Sequence, residues 1–154
     1  MQAANSTTPQ VKIAIIGAGF GGLAMAIRLL QNNIRDFVIL EKASVIGGTW
    51  RENQYPGAAC DVQSHLYSLS FSPKTDWSKR YAEAPEIYQY MQTLTAEHQL
   101  QSYIRFNTEV SAAHYLENLC LWQLTLNQNE TLTAQFVIFA SGPLHVPQIP
   151  HIAG

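Results

Sequence analysis

The chain has 154 residues, a formal net charge of −2 and 47% hydrophobic residues, which suits one domain with a packed core. This charge gives no reason to expect nucleic acid or an anionic membrane as a partner, and two isolated cysteines, Cys60 and Cys120, fit neither a disulfide framework nor a zinc site. The polar N-terminus lacks a signal-peptide pattern and no apolar run is long enough to span a membrane, so we expect a cytoplasmic protein.

The first predicted elements are a strand, a helix and a second strand. Residues 11–16 are apolar apart from one lysine, which is typical of a parallel strand buried on both faces. Residues 21–31 carry apolar side chains at helical spacing, and residues 37–40 form a second apolar run. Together these segments predict a right-handed βαβ unit in an α/β domain.

The turn between the first strand and the helix is rich in glycine. Gly17 permits a tight turn, Gly19 lets the backbone approach a ligand, and Gly22 lets the helix pack closely on the sheet. The helix N-terminus then offers free N–H groups to phosphates, and Glu41, after the second strand, can accept a hydrogen bond from a ribose hydroxyl. This combination predicts a dinucleotide-binding site, with a surface acid as the alternative interpretation of Glu41.

A long irregular segment, residues 42–84, follows the second strand. It is rich in aromatic residues, which indicates that it packs against something. A helix is predicted from Pro85 to about Leu100, and a short strand at 104–106. The strands of an antiparallel meander are predicted at 109–115, 119–127 and 131–139. The apolar run at 136–140 predicts a buried strand that returns to the sheet.

This order of elements resembles the FAD-binding domain of two-dinucleotide flavoproteins. Three segments narrow the resemblance: Gly47-Gly48-Thr49-Trp50, Tyr55-Pro56-Gly57-Ala58-Ala59-Cys60-Asp61 and Ala140-Ser141-Gly142-Pro143. They are similar to segments of flavoprotein monooxygenases of the Baeyer–Villiger and flavin-containing monooxygenase type. The resemblance implies a Rossmann-like α/β FAD-binding domain with a central parallel sheet and an antiparallel β-meander, incomplete at the C-terminus.

The resemblance also implies a chemistry and a set of site residues. In such enzymes NADPH reduces FAD, and a peroxyflavin then oxygenates a small-molecule substrate at a ketone, sulfur or nitrogen. The residue matching Asp61 orients an arginine beside the flavin, an arginine that this chain lacks. The cofactor-binding residues implied by the resemblance are Gly17, Gly19, Phe20, Gly21, Gly22, Glu41, Lys42, Gly48, Thr49, Trp50, Arg51, Glu52, Asp61, Tyr67, Val110, Ala140 and Gly142.

The chain contains no second glycine motif for NADPH. We therefore expect a flexible N-terminus at 1–10, the N-terminal portion of an FAD-binding domain at 11–143, and a linker toward a missing NADP-binding domain at 144–154. We hypothesise that the chain is a truncated product, and we expect such a product not to be competent alone. An incomplete parallel sheet exposes an unpaired edge, which predicts self-association or a partner chain that covers it.

Other interpretations remain open from the residues themselves. The chain can be a non-enzymatic FAD-binding remnant or module, or one half of a split oxidoreductase. An NAD-dependent dehydrogenase fits the glycine motif, whereas a disulfide reductase needs a cysteine pair after Gly48 that is absent. Without the resemblance, Asp61 is better interpreted as the cap of a turn. Trp50 and Tyr67 either pack in the core or contact the cofactor, a cofactor-facing role being favoured for Trp50, and Arg51 either contacts phosphate or is a solvated loop residue.

Overall fold

Six strands form one mixed sheet in the part of the chain that the computed structural model describes, residues 10–127 and 129–152. The strands lie in the order β3-β2-β1-β6-β5-β4. The elements in chain order are β1 (Val11–Ile16), α1 (Phe20–Gln31), β2 (Phe37–Leu40), α2 (Thr49–Glu52), α3 (Ala84–Glu97), a 3₁₀ helix (Leu100–Tyr103), β3 (Ile104–Arg105), β4 (Val110–Leu116), β5 (Leu121–Leu126) and β6 (Glu130–Phe139).

The parallel half of the sheet is centred on β1, which pairs in parallel with β2 on one side and with β6 on the other. Its apolar run is buried as predicted, with Ala14 and Ile15 fully inaccessible. The apolar side of α1 contributes Leu23 and Ile27 to the same core, and α3 contributes Met91 beside them. This packing fixes the N-terminus of α1 next to the end of β1.

Strand β6 belongs to both halves of the sheet. Its first part, up to Ala134, pairs antiparallel with β5, and the part from Ala134 to Phe139 pairs in parallel with β1. The predicted third meander strand and the predicted returning strand are therefore one continuous strand.

The prediction that residues 136–140 are buried is wrong. The pairing of β6 with β5 ends at Ala134, so among the described residues the second half of β6 has a strand neighbour only on the β1 side. Phe136 and Phe139 are consequently 51% and 62% exposed. Sheet neighbours, and not the apolar sequence itself, decide whether such a strand is covered.

The meander strands contribute to a second apolar cluster on the sheet, in which Leu124 and Leu126 of β5 are fully buried. The long segment after β2 is anchored by aromatic contacts, such as the 5.2 Å between the ring centroids of Phe20 and Tyr67, which confirms the predicted packing. This segment also contains α2, a helix that the sequence pattern missed. None of the helices among the described residues is long and apolar enough to cross a membrane.

Both ends of the chain were assigned to flexible or linker segments. Residues 1–9 and 153–154 lie outside the described residues. Gln10 itself is bonded to the sheet, because its backbone N–H donates to the carbonyl oxygen of Thr133 at 3.1 Å. The described part of the predicted linker, from Leu144 onward, has no regular secondary structure.

Candidate functional site

A cavity of about 330 Å³ lies where β1, β2 and β6 end. Ligands of open α/β sheets bind at this edge, outside the carboxyl ends of the strands. The predicted site residues that line the cavity are Gly17, Gly19, Phe20, Gly21, Glu41, Lys42, Gly48, Thr49, Trp50, Arg51, Tyr67, Val110, Ala140 and Gly142. Residues far apart in the sequence thus meet in one place.

The N-terminus of α1 forms one wall of this cavity. Its N-cap residue, Gly19, makes no side-chain cap, and its first turn carries no acidic residue. The first N–H groups of a helix have no partner within the helix, and the helix dipole places partial positive charge there. The wall is therefore suited to an anionic group such as a diphosphate.

Gly22 does not line the cavity but sets its shape. A Cβ on Gly22 would lie 1.9 Å from the carbonyl oxygen of Gly17, so only glycine allows the helix to approach the turn this closely. Gly17 itself has φ +104°, a value that residues with a side chain rarely adopt. The close packing predicted for Gly22 and the tight turn predicted for Gly17 are both present.

Glu41 faces the glycine turn. Its side-chain Oε2 accepts a hydrogen bond from the backbone N–H of Ala18 at 2.8 Å, and its Oε1 accepts from Ala43 at 2.9 Å. The residue is 4% exposed, so the interpretation as a surface acid is wrong. A buried carboxylate beside a helix N-terminus adds a hydrogen-bond acceptor to a wall of donors, which is what the ribose and diphosphate of a nucleotide require.

Three aromatic side chains that line the cavity, Phe20, Trp50 and Tyr67, contact one another. Trp50 donates from Nε1 to the hydroxyl oxygen of Tyr67 at 3.1 Å, and the two rings meet edge to face. Phe20 packs on the other side of Tyr67. Burial raises the pKa of Tyr67 above its ordinary value, and the hydrogen bond from Trp50 offsets part of this rise. Tyr67 therefore presents a neutral phenol to the cavity at neutral pH.

Besides Gly22, two predicted residues, Glu52 and Asp61, lie outside the cavity lining. Glu52 is exposed and pairs with Arg51 at 2.5 Å, and this hydrogen bond lowers the pKa of Glu52. Asp61 is also exposed, although it is close enough to Tyr67 to contribute to the rise in the pKa of that residue. Its role beside an arginine stays a prediction.

Several lining residues were missed, among them Gly47, Thr108, Glu109, Ser141 and His145. His145 is half-buried at the cavity, and the adjacent Leu144 carbonyl accepts a hydrogen bond from Asn53 at 3.1 Å. Ser141 lies between two predicted residues and was therefore within reach of the sequence pattern. Thr108 is placed by a bond from its N–H to the Glu41 carbonyl, a contact without a sequence signal.

Comparison with known proteins assigns this chain to a family. A sequence model described as "Pyridine nucleotide-disulphide oxidoreductase" matches residues 14–154. The chain belongs to this family. Among curated relatives, a "Baeyer-Villiger monooxygenase" of Streptomyces coelicolor is 43% identical over 144 residues, and one of Pseudomonas aeruginosa is 45% identical over 143 residues. These matches cover 94% and 93% of this chain but 28% and 27% of the relatives.

Solved structures of similar proteins agree with this assignment. A structure described as an OTEMO complex with FAD and NADP has a TM-score of 0.87 and 34% identity, and covers 96% of this chain and 28% of that one. A steroid monooxygenase bound to NADP has a TM-score of 0.84 and 35% identity, over 94% of this chain and 28% of that one. The predicted resemblance to flavoprotein monooxygenases and the predicted α/β fold are confirmed. The chain spans little more than a quarter of the length of the relatives it matches.

Proposed function

We propose that this chain is the FAD-binding portion of an NADPH-dependent flavoprotein monooxygenase of the Baeyer–Villiger type. The observation that carries the proposal is the placement of Glu41. Its buried carboxylate meets the glycine turn in a cavity that also contains the uncapped N-terminus of α1. The similarity to Baeyer–Villiger monooxygenases supports FAD over other dinucleotides.

The residues of this chain fit FAD by their chemistry. The N–H groups at the start of α1 would bind the diphosphate, Glu41 would accept from the adenosine ribose, and Trp50 and Tyr67 would exclude water from one side of the cofactor. When bound, FAD supplies the redox chemistry that activates oxygen. The protein binds and orients the cofactor, and Tyr67 keeps its proton at neutral pH.

The division of the chain is part of the same proposal. Residues 11–143 form the FAD-binding portion, and 144–154 lead toward a domain that binds NADPH. The share of the relatives that this chain matches supports this division, because most of their length lies outside the match. Asp61 would then orient a group supplied by another part of the protein, and the small-molecule substrate would bind there too.

FAD binding by the isolated chain tests the proposal. We expect saturable quenching of flavin fluorescence when FAD is titrated with wild-type protein, and weaker binding by Glu41→Gln. The matched control is Glu130→Gln, which removes a carboxylate outside the cavity. A folded wild-type chain that shows no saturable binding would contradict the proposal. Steady NADPH oxidation with an oxygenated product from this chain alone would contradict the proposed division instead.

The exposed second half of β6 supports a partner segment. Phe136 and Phe139 lie on a strand whose outer edge has no strand neighbour in the described chain, and Trp122 contacts Phe139 edge to face. An open apolar edge of this kind pairs readily with another strand. We propose that a strand from the rest of the protein, or from a second chain, covers it.

Sedimentation of the purified chain tests this second part of the proposal. We expect concentration-dependent association that Phe139→Lys reduces. Tyr55→Lys is the matched control, since Tyr55 is an equally exposed aromatic residue, at 63%, elsewhere on the surface. A wild-type chain that stays monomeric at all concentrations, or equal loss of association in both variants, would argue against a role for this edge.

A further inference from the structure

Arg51 contacts Glu41 and does so from a fixed position. Its Nη1 donates to the carbonyl oxygen of Val45 at 2.5 Å and lies 3.5 Å from Oε1 of Glu41, while its Nη2 donates to Glu52. The side chains of Arg51 and Glu41 are 13% and 6% exposed. The pair is therefore largely shielded from water, and the attraction within a shielded ion pair is stronger than within one on the surface.

The carboxylate of Glu41 is held from three directions. Ala18 and Ala43 donate backbone N–H groups to its two oxygens, and Arg51 supplies the positive charge. A carboxylate has about four lone-pair sites, and the two backbone donors use two of them, so the carboxylate can accept from a further donor. Removing the cation would leave a buried negative charge with only neutral donors, which is costly and allows the carboxylate to move.

The glycine pair before α2 makes room for this arginine. A Cβ on Gly47 would lie 2.7 Å from Cβ of Arg51 and 2.7 Å from a ring carbon of Tyr88. Gly47 also donates its N–H to the carbonyl oxygen of Ala18 in the first glycine turn. The two glycine turns are thus joined, and the second one brings the guanidinium to the carboxylate that braces the first.

We propose that Arg51 is a positioning residue that holds Glu41 in the orientation needed to accept from the ribose of the cofactor. This role rests on the proposed FAD binding. It is additional to the direct contact with the cofactor that the resemblance implies, because the guanidinium donates to Val45 and Glu52 and forms its ion pair with Glu41. Arg51 acts on the nucleotide through Glu41.

A double-mutant cycle on FAD affinity tests the proposal. We expect Arg51→Met to weaken FAD binding about tenfold, which corresponds to about 1.4 kcal/mol. Arg51→Lys should restore part of the affinity because it keeps the charge. In the Glu41→Gln background, Arg51→Met should add little, since the residue through which it acts has been changed. Arg105→Met is the matched control, because Arg105 also pairs with a glutamate, Glu130, but outside the cavity.

A comparison of two nucleotides separates positioning from a general effect on the fold. ADP and 2′,3′-dideoxy-ADP are used to displace FAD from each protein. The Arg51→Met penalty should appear with ADP and vanish with the dideoxy nucleotide, which has no ribose hydroxyl for Glu41 to accept from. A purely structural Arg51 would give equal penalties with both. Arg51→Gln, which keeps a donor for the Val45 carbonyl, replaces Arg51→Met if the latter fails to fold.

The outcomes distinguish the two proposals. A wild-type chain that folds but binds no FAD overturns the proposed function and, with it, this role of Arg51. A wild-type chain that binds FAD, with Arg51→Met penalties that are additive with Glu41→Gln or equal for the two nucleotides, overturns only the role of Arg51.

Discussion

The contact between Gly22 and Gly17 yields a quantitative prediction. A Cβ on Gly22 would lie 1.9 Å from the carbonyl oxygen of Gly17, against a lower limit of 3.0 Å for real contacts, so Gly22→Ala must move α1 away from β1 by roughly 1 Å. Overpacking costs about 1–3 kcal/mol, and a backbone obstacle places this site in the upper half. Alanine returns at most about 1 kcal/mol through its helix propensity. The net loss of stability is then about 1–2 kcal/mol.

Thermal unfolding of the cofactor-free chain, followed by circular dichroism, measures this loss. A domain of this size loses about 2–4 °C in Tm per kcal/mol, so Gly22→Ala should melt roughly 2–8 °C below wild type. Gly21→Ala is the matched control, because the nearest atom to its added Cβ is 3.9 Å away, and it should melt at or slightly above wild type. If Gly22→Ala melts as high as Gly21→Ala, the reasoning from close helix packing is refuted.

Three further predictions concern stability. Burial raises the pKa of Tyr67 in the folded state, so the stability that Tyr67 contributes is present below its unfolded pKa of about 10 and is lost as pH rises through the folded pKa. Tyr67→Phe should therefore show a smaller drop in unfolding free energy at alkaline pH than wild type, and identical pH profiles of the two proteins would exclude this cause. Leu124→Ala should cost about 2–5 kcal/mol in urea unfolding, since Leu124 is fully buried, and a loss below 1 kcal/mol (on the order of a surface change) would contradict the packing. Trp77→Phe should change the same quantity by less than about 1 kcal/mol, because the buried Nε1 of Trp77 has no hydrogen-bond partner among the described residues, and a large loss would reveal one.

The sequence was sufficient to predict the elements whose conformation depends on neighbouring residues. The near-continuous apolar run of β1 and the glycines that follow it admit few other structures, so the strand, the turn and α1 were predicted almost to the residue. Glu41 was predicted to face the turn because it follows directly on β2. These features depend on backbone conformation and on adjacent residues, which a sequence displays.

Features set by distant residues were not predictable in the same way. The run at 136–140 has the composition of a buried strand, yet its exposure depends on whether another strand lies beside β6. Helix α2 has four residues, too few for a periodic pattern. His145 reaches the cavity in a segment held by a bond between Asn53 and Leu144, which are 91 residues apart. Long-range contacts of this kind produce no pattern in the local sequence.

The pairing of β1 with β6 has a consequence for the time at which the cavity is completed during synthesis. Part of the cavity lining, such as Gly17 and Gly19, lies near the start of the chain, and one rim, Ala140 to Gly142, follows the last strand. Gln10 and Thr133, which are bonded across this pairing, are separated by 123 residues. The chain up to Gly142 must therefore leave the ribosome before the rim exists, and pairing over such distances is slow. A nascent chain would bind a nucleotide only after this segment has emerged.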